Sequence, residues 1–320
     1  MVSQNRMMKY EIRNGRFELP HQRGEASLAE VLKWQMGGTR QKWPRHVPNK
    51  SYQPPPLRVE THDMATTWIG HSTVLIQTAG LNILTDPFFS KRASPTQLAG
   101  PKRVRDPGVT LSNLPPIDLI LLSHSHYDHM DKPALKALAR DHKAKLITPL
   151  NNAHHAKGHD VQELDWHETH QHKHLRVTAL PALHWSKRSF GDTNKSLWGA
   201  FAIEGPMGVI YFGADTGYGT GQTFRDVHAR FGSPRLSLLP IGAYEPRWFM
   251  AAQHMNPEEA VQAHIDLGSK TSLAIHHGTV QLTDEAIDAP VKALDAALLA
   301  KNIARPHFLV PDIGETLWIS

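Results

Sequence analysis

Apolar residues in this chain fall into short dense runs rather than long helical stripes. Residues 117–123 form such a run, and a strand buried on both faces reads this way. Residues 66–78 and 81–86 predict two strands joined at Ala79-Gly80, a hairpin signal. Further strands are predicted over 145–149, 175–183, 236–241 and 272–275. Residues 197–204 and 209–213 read as a hairpin around Gly205-Pro206, and 307–319 closes the chain with strand-like residues. Helices are predicted over 133–141, 223–231, 257–267 and 289–301. The third of these opens on Asn256 as N-cap with Pro257 in the first helical position. Residues 91–116 form a long, basic, irregular loop. Strands and helices thus recur in two comparable halves. The economical packing is two sheets face to face with helices outside, an α+β αββα sandwich over residues 61–320.

The first 60 residues break the pattern and read as an N-terminal extension. Residues 25–36 are weakly amphipathic (Leu28, Val31, Leu32, Met36) and end at Gly37-Gly38. A Pro-rich stretch with Pro54-Pro55-Pro56 follows. Charge sharpens this division. The net charge is +5, yet residues 1–58 hold 11 of the 35 Lys and Arg and only 4 of the 30 acidic residues. The basic excess therefore belongs to the extension, which suits an anionic surface or a solvated tail. A nucleic-acid partner is not expected, because the core carries no such excess. Residues 1–17 lack the apolar core of a signal peptide, and no stretch approaches the roughly 20 apolar residues of a spanning helix. The expected location is cytoplasmic, with peripheral contact at the inner face of a membrane left open.

Composition then limits the chemistry. At 320 residues with 40% hydrophobic and 20% charged residues, the chain can build an ordinary globular core. It has no cysteine, so disulfides and thiolate metal sites are excluded. It has 22 histidines. Three of them sit in His124-Ser125-His126-Tyr127-Asp128-His129, directly after the apolar run at 117–123. Alternate residues of an extended chain share a face, so His124, His126 and Asp128 converge while His129 turns in behind them. Donors this dense call for a divalent cation. His184, Asp215 and His276 each follow an apolar strand, and strand ends gather at one rim. Asp215, with two carboxylate oxygens, suits a bridging place. The run His167, His170, His172 and His174 lacks that context and reads as solvated; His71 reads as a strand contact.

These motifs resemble the metallo-β-lactamase superfamily. Trp68-Ile69-Gly70-His71, Leu84-Thr85-Asp86-Pro87, the His124–His129 run, His184-Trp185-Ser186-Lys187-Arg188, Asp215-Thr216-Gly217-Tyr218, Ile241-Gly242-Ala243-Tyr244-Glu245-Pro246-Arg247-Trp248-Phe249-Met250 and Gln253-His254 resemble the N-acylphosphatidylethanolamine-hydrolysing phospholipase D family within it. The resemblance implies two zinc ions, or another divalent metal such as Mn2+ or Fe2+. It implies His124, His126 and His184 on one and Asp128, His129 and His276 on the other, with Asp215 bridging. It implies a catalytic part for Asp128 and His254; Asp86, directly after Ile83-Leu84-Thr85, reads either as a residue orienting a ligand from behind or as a turn cap beside Pro87. The expected reaction is phosphodiester hydrolysis of phospholipase D type, yielding phosphatidic acid and an N-acylethanolamine. Lys187, Arg188, Tyr244, Arg247, Trp248 and Phe249 are candidate contacts for a phospholipid or small phosphodiester. A homodimer stays open as an expectation. The competing readings are a lactonase or sugar-phosphate hydrolase of the same fold and a nucleic-acid-processing metallohydrolase.

Overall fold

A computed structural model describes residues 8–19, 28–38 and 40–320. A short hairpin, β1 (Glu11–Arg13) and β2 (Arg16–Glu18), precedes helix α1 (Leu28–Met36). Then β3 (Met64–Gly70), β4 (Thr73–Thr78) and β5 (Leu81–Thr85) form an antiparallel meander. Strand β6 (Leu119–Leu121), helix α2 (Lys132–Asp141), β7 (Lys145–Pro149) and β8 (Asp160–Leu164) extend that sheet in parallel.

The second sheet begins with β9 (Thr169–His172), β10 (Leu175–Leu180), β11 (Ala200–Gly205) and β12 (Gly208–Phe212), paired antiparallel. Helix α3 (Gln222–Phe231), β13 (Leu236–Pro240), α4 (Arg247–Met250), α5 (Pro257–Leu267), β14 (Thr271–Ile275), α6 (Ala289–Ala300) and β15 (Phe308–Leu309) complete it in parallel. The last strand, β16 (Thr316–Ile319), crosses back to pair with β3. Each sheet has seven strands among the described residues.

The apolar runs are continuous because both faces of each strand are covered. Val74, Ile76, Ile83 and Leu119 face Val177, Phe201, Ile203 and Phe212 between the sheets. Their neighbours Leu75, Leu84, Ile120 and Leu146 pack outward against Leu135 and Leu138 of α2. Beyond the second sheet, Phe224, Val261, Leu267 and Leu294 of α3, α5 and α6 cover Ala202, Leu239 and Ala274. A helix–sheet–sheet–helix sandwich results, as the sequence pattern predicts. No helix among the described residues is long and apolar enough to cross a membrane.

Helix α5 shows local and global preferences agreeing. Asn256 accepts from Glu259 N at 2.8 Å and Glu259 returns a bond to Asn256 N at 3.0 Å, a reciprocal capping box. Asn256→Ala should cost about 1 kcal/mol, read as a shift of the denaturation midpoint at constant slope.

Several boundaries differ from the sequence reading. Residues 66–78 are not one strand but parts of two, because His71 at φ +57° reverses the chain between β3 and β4. Helix α1 starts at Leu28 in the described residues, and residues 25–27 lie outside them. Strand β10 stops at Leu180, before Pro181, so 181–199 is a loop. His170 and His172, expected in a solvated run, lie in the edge strand β9 paired to β10. The stretch 307–319 splits between two sheets.

Candidate metal centre

The rim where the strands end carries the chemistry. Each of β5, β6, β12 and β14 delivers a polar residue just past its last apolar one: Asp86, His124, Asp215 and His276. Several backbone positions there lie in the left-handed region: His71 at φ +57°, Asp86 at +28°, Ala214 at +49° and His276 at +59°. That conformation is strained for residues with a Cβ, and its concentration here marks turns held by their surroundings. Gly242 allows the same crowding, since a Cβ there would sit 2.2 Å from the His276 carbonyl oxygen.

Seven buried or nearly buried donors converge as two trios with one carboxylate between them. In the first, His124 Nε2 and His184 Nε2 lie 2.8 and 3.2 Å from His126 Nδ1. In the second, His129 Nε2 and His276 Nε2 each lie 3.4 Å from Asp128 Oδ2. Asp215 Oδ2 stands between the trios, 3.1 Å from His129 Nε2, 3.2 Å from His276 Nε2 and 3.7 Å from His184 Nε2. Both trios have ligand atoms close enough to share one ion each.

A second layer aims these donors. Asp86, fully buried, accepts from His129 Nδ1 at 2.6 Å. It also accepts from Ser123 N at 2.7 Å and Ser123 Oγ at 2.6 Å, and that hydroxyl lies 2.8 Å from His124 Nδ1. One carboxylate thus orients one imidazole of each trio. His184 Nδ1 lies 3.1 Å from the Gln253 carbonyl.

The electrostatics suit cations. Burial alone would raise the carboxyls of Asp128 and Asp215, but the adjacent His129, and for Asp215 also His276, outweigh it and hold both well below the usual range. Burial pushes His124 and His184 well below their ordinary value and His126 down to about 4, so these rings are neutral with lone pairs to give. Burial acts the same way on His129 and His276, yet the carboxylates reverse it. Asp215 leads in both; His129 is raised well above its ordinary value and His276 to about 9. A field that favours a proton there favours any cation. His129 Nε2, His276 Nε2 and Asp215 Oδ1 are buried without a hydrogen-bond partner in the fold. Orphaned donors of this kind are what a divalent cation would satisfy.

A family model described as a beta-lactamase superfamily domain matches residues 81–277. The chain belongs to the metallo-β-lactamase superfamily. Among its relatives, N-acyl-phosphatidylethanolamine-hydrolyzing phospholipase D 1 of Caenorhabditis elegans is 36% identical over 267 residues, spanning 79% of this chain and 74% of the relative. The mitochondrial N-acyl-phosphatidylethanolamine-hydrolyzing phospholipase D of Saccharomyces cerevisiae is 38% identical over 260 residues, 78% of this chain and 55% of the relative. An uncharacterized protein of Mycobacterium tuberculosis is 39% identical over 273 residues, 81% and 72%. The fold matches the isothiocyanate hydrolase from Delia radicum gut bacteria with a TM-score of 0.63 at 22% identity, covering 79% of this chain and 98% of that one.

In this member of the superfamily, four of the seven donors, His126, Asp128, His184 and Asp215, line a cavity of about 1110 Å³. His254 is buried in its wall, its ring 5.1 Å from that of His184 and 5.5 Å from that of His276. Burial lowers its pKa to about 4, leaving a neutral ring. Lys187 and Phe249 also line the cavity. The other candidate contacts are placed elsewhere. Arg188 donates to the carbonyls of Ser125 at 3.1 Å and Met130 at 2.6 Å and lies over the Tyr127 ring, so it braces the histidine-rich turn. Arg247 bridges the His254 carbonyl at 2.9 Å and Glu259 at 2.7 Å. Tyr244 is buried, and Trp248 faces outward under Lys33.

Two residues escaped the sequence reading. His71, expected as a strand contact, places Nε2 2.8 Å from Asp128 Oδ2 and so steers that carboxylate. The signal lay in Gly70-His71-Ser72, a turn hidden inside a long apolar run. Trp185 packs its ring 4.6 Å from His126 and lines the cavity.

Proposed function

We propose that this protein is a divalent-metal-dependent phosphodiesterase of phospholipase D type, acting on N-acylphosphatidylethanolamine. The observation that carries the reading is the pair of donor trios about Asp215, which opens through His126, Asp128, His184 and Asp215 on a cavity lined in part by apolar residues. His124, His126 and His184 would hold one ion, Asp128, His129 and His276 the other, and Asp215 would bridge them. Two such ions, zinc or another divalent metal, would supply Lewis acidity that brings the pKa of a captured water toward about 7 and offsets charge on phosphoryl oxygens.

The protein's own groups do the rest. Asp86 and Ser123 fix the ligand rings, so no reorganisation is needed as charge develops. His254, neutral at pH 7, presents a ring N–H or lone pair to the phosphate or the departing oxygen. Its backbone is held by Arg247. Hydrolysis adds the oxygen of water to phosphorus, breaks the bond to the ethanolamide oxygen and returns a proton to it. The products are phosphatidic acid and an N-acylethanolamine. The relatives named for this activity in worm and yeast support the substrate. So does the wall of Val31, Trp34, Phe249 and Met250, which a lactone or sugar phosphate would not use. The same wall suits peripheral contact with a membrane from which the lipid is drawn.

The test incubates the metal-loaded protein with N-acylphosphatidylethanolamine and, separately, with bis(p-nitrophenyl) phosphate. Release of the free ethanolamide, abolished by chelation and restored by zinc or manganese, is the expected result. Hydrolysis of the small ester alone would remove the lipid assignment.

A further inference from the structure

The cavity has a mixed lining. Donors and polar side chains share the lining with apolar residues, and part of the apolar lining comes from outside the αββα sandwich. Val31 and Trp34, at i and i+3 on α1, lie on the cavity. Both are half-buried, whereas Leu32, Lys33, Gln35 and Met36 are exposed. The face that α1 buries is thus turned to the cavity and to α4. Trp34 stacks on Phe249 with ring centroids 5.1 Å apart and planes 26° apart. Next to it, Lys33 Nζ lies 4.9 Å over the Trp248 ring.

A nine-residue helix has little stability of its own, so its position comes from these contacts and from the chain after it. Gln41 N donates to Asp284 O at 2.8 Å, and Trp43 Nε1 donates to Glu285 O at 2.8 Å. The Glu285 carboxylate in turn accepts from Ala243 N at 2.7 Å and Glu245 N at 3.2 Å, at the head of the loop that leads to Phe249. On the other side, Arg16 Nη2 donates to Gly191 O at 3.0 Å and Phe17 N to Asn194 O at 2.8 Å. These contacts pin the N-terminal segment to both rims of the cavity.

We propose that Val31 and Trp34 of α1 are specificity-determining residues: with Phe249 they hold an apolar chain of the substrate while its phosphate sits at the donors. The inference rests on the phosphodiesterase reading for the headgroup, but not on the identity of the lipid. An apolar surface can reward a substrate only through the methylenes it covers, so Trp34 sets chain-length preference and leaves phosphate affinity alone.

The test measures binding of n-alkyl phosphates, ethyl to decyl, to the zinc-loaded full-length protein by calorimetry. In the wild type each added methylene should tighten binding about threefold until the wall is covered. Trp34→Ala should weaken decyl phosphate at least about tenfold and ethyl phosphate less than about twofold. Trp34→Phe, which keeps a ring on Phe249, should restore most of the slope. Val31→Asp, which leaves the stack in place, should also flatten it. A flat wild-type series, unchanged decyl binding in Trp34→Ala and Val31→Asp, or equal losses on ethyl and decyl phosphate would overturn the proposal. A chain-length slope in a protein that releases no ethanolamide would keep it and remove the lipid assignment instead.

Discussion

Asp215→Asn should lower turnover by on the order of 10³-fold and cut bound metal from about two equivalents to below one. The change is nearly isosteric, so packing survives; what goes is the charge. Asp215 Oδ2 is the atom shared by the two trios, within 3.1 to 3.7 Å of His129, His276 and His184. Its charge leads the groups that raise His129 and His276 against the effect of burial. An amide offers a weaker, neutral ligand and no compensation for two cations in a dry site. Elemental analysis of the purified variant reads the metal loss, and circular dichroism shows that the fold persists. A variant that kept both metals and full activity would remove the bridging role.

Asp86→Ala carries the second large effect, on stability as well as metal. Asp86 is fully buried and accepts three hydrogen bonds, two from Ser123 and one from His129. Alanine leaves the Ser123 N–H and the His129 ring without their acceptor. At about 1–3 kcal/mol for each of these two groups, roughly 2–6 kcal/mol of stability should be lost. Metal affinity should also fall about 10- to 100-fold, because His129 and, through Ser123, His124 lose their orientation. A turn-capping aspartate beside Pro87 would cost only about 1 kcal/mol and leave metal binding intact. Urea denaturation of the metal-free protein, paired with competition against a chromophoric chelator, separates the two accounts.

Three of the candidate donors were legible in the sequence because each sits just past an apolar strand, whereas His184 lies in the loop that follows β10. A strand buried on both faces needs a continuous apolar stretch, and its polar successor falls at the rim. His124, Asp215 and His276 follow from that rule alone. His71 did not, because its turn lies inside residues 66–78, where apolar residues continue on both sides; only the pairing of β3 with β4 exposes the reversal. The edge strand β9 was missed for the opposite reason, since Thr169–His172 carries no apolar pattern and is recruited by β10. The hairpin β1–β2 carried a signal in Asn14-Gly15, but its strands are short. Arginine partners were the least legible. Arg188 and Arg247 look alike as candidate phosphate contacts, yet each is taken by backbone carbonyls or a carboxylate that no local pattern names. A long side chain chooses its partner from the folded surroundings.

Crystals of the zinc-loaded protein, measured across the zinc absorption edge, decide whether the seven side chains hold two ions. Two anomalous peaks about 3.5–4 Å apart are expected, one within the trio of His124, His126 and His184, the other within that of Asp128, His129 and His276, with Asp215 between them. A single peak, or none among these seven side chains under saturating zinc, would contradict the two-ion site.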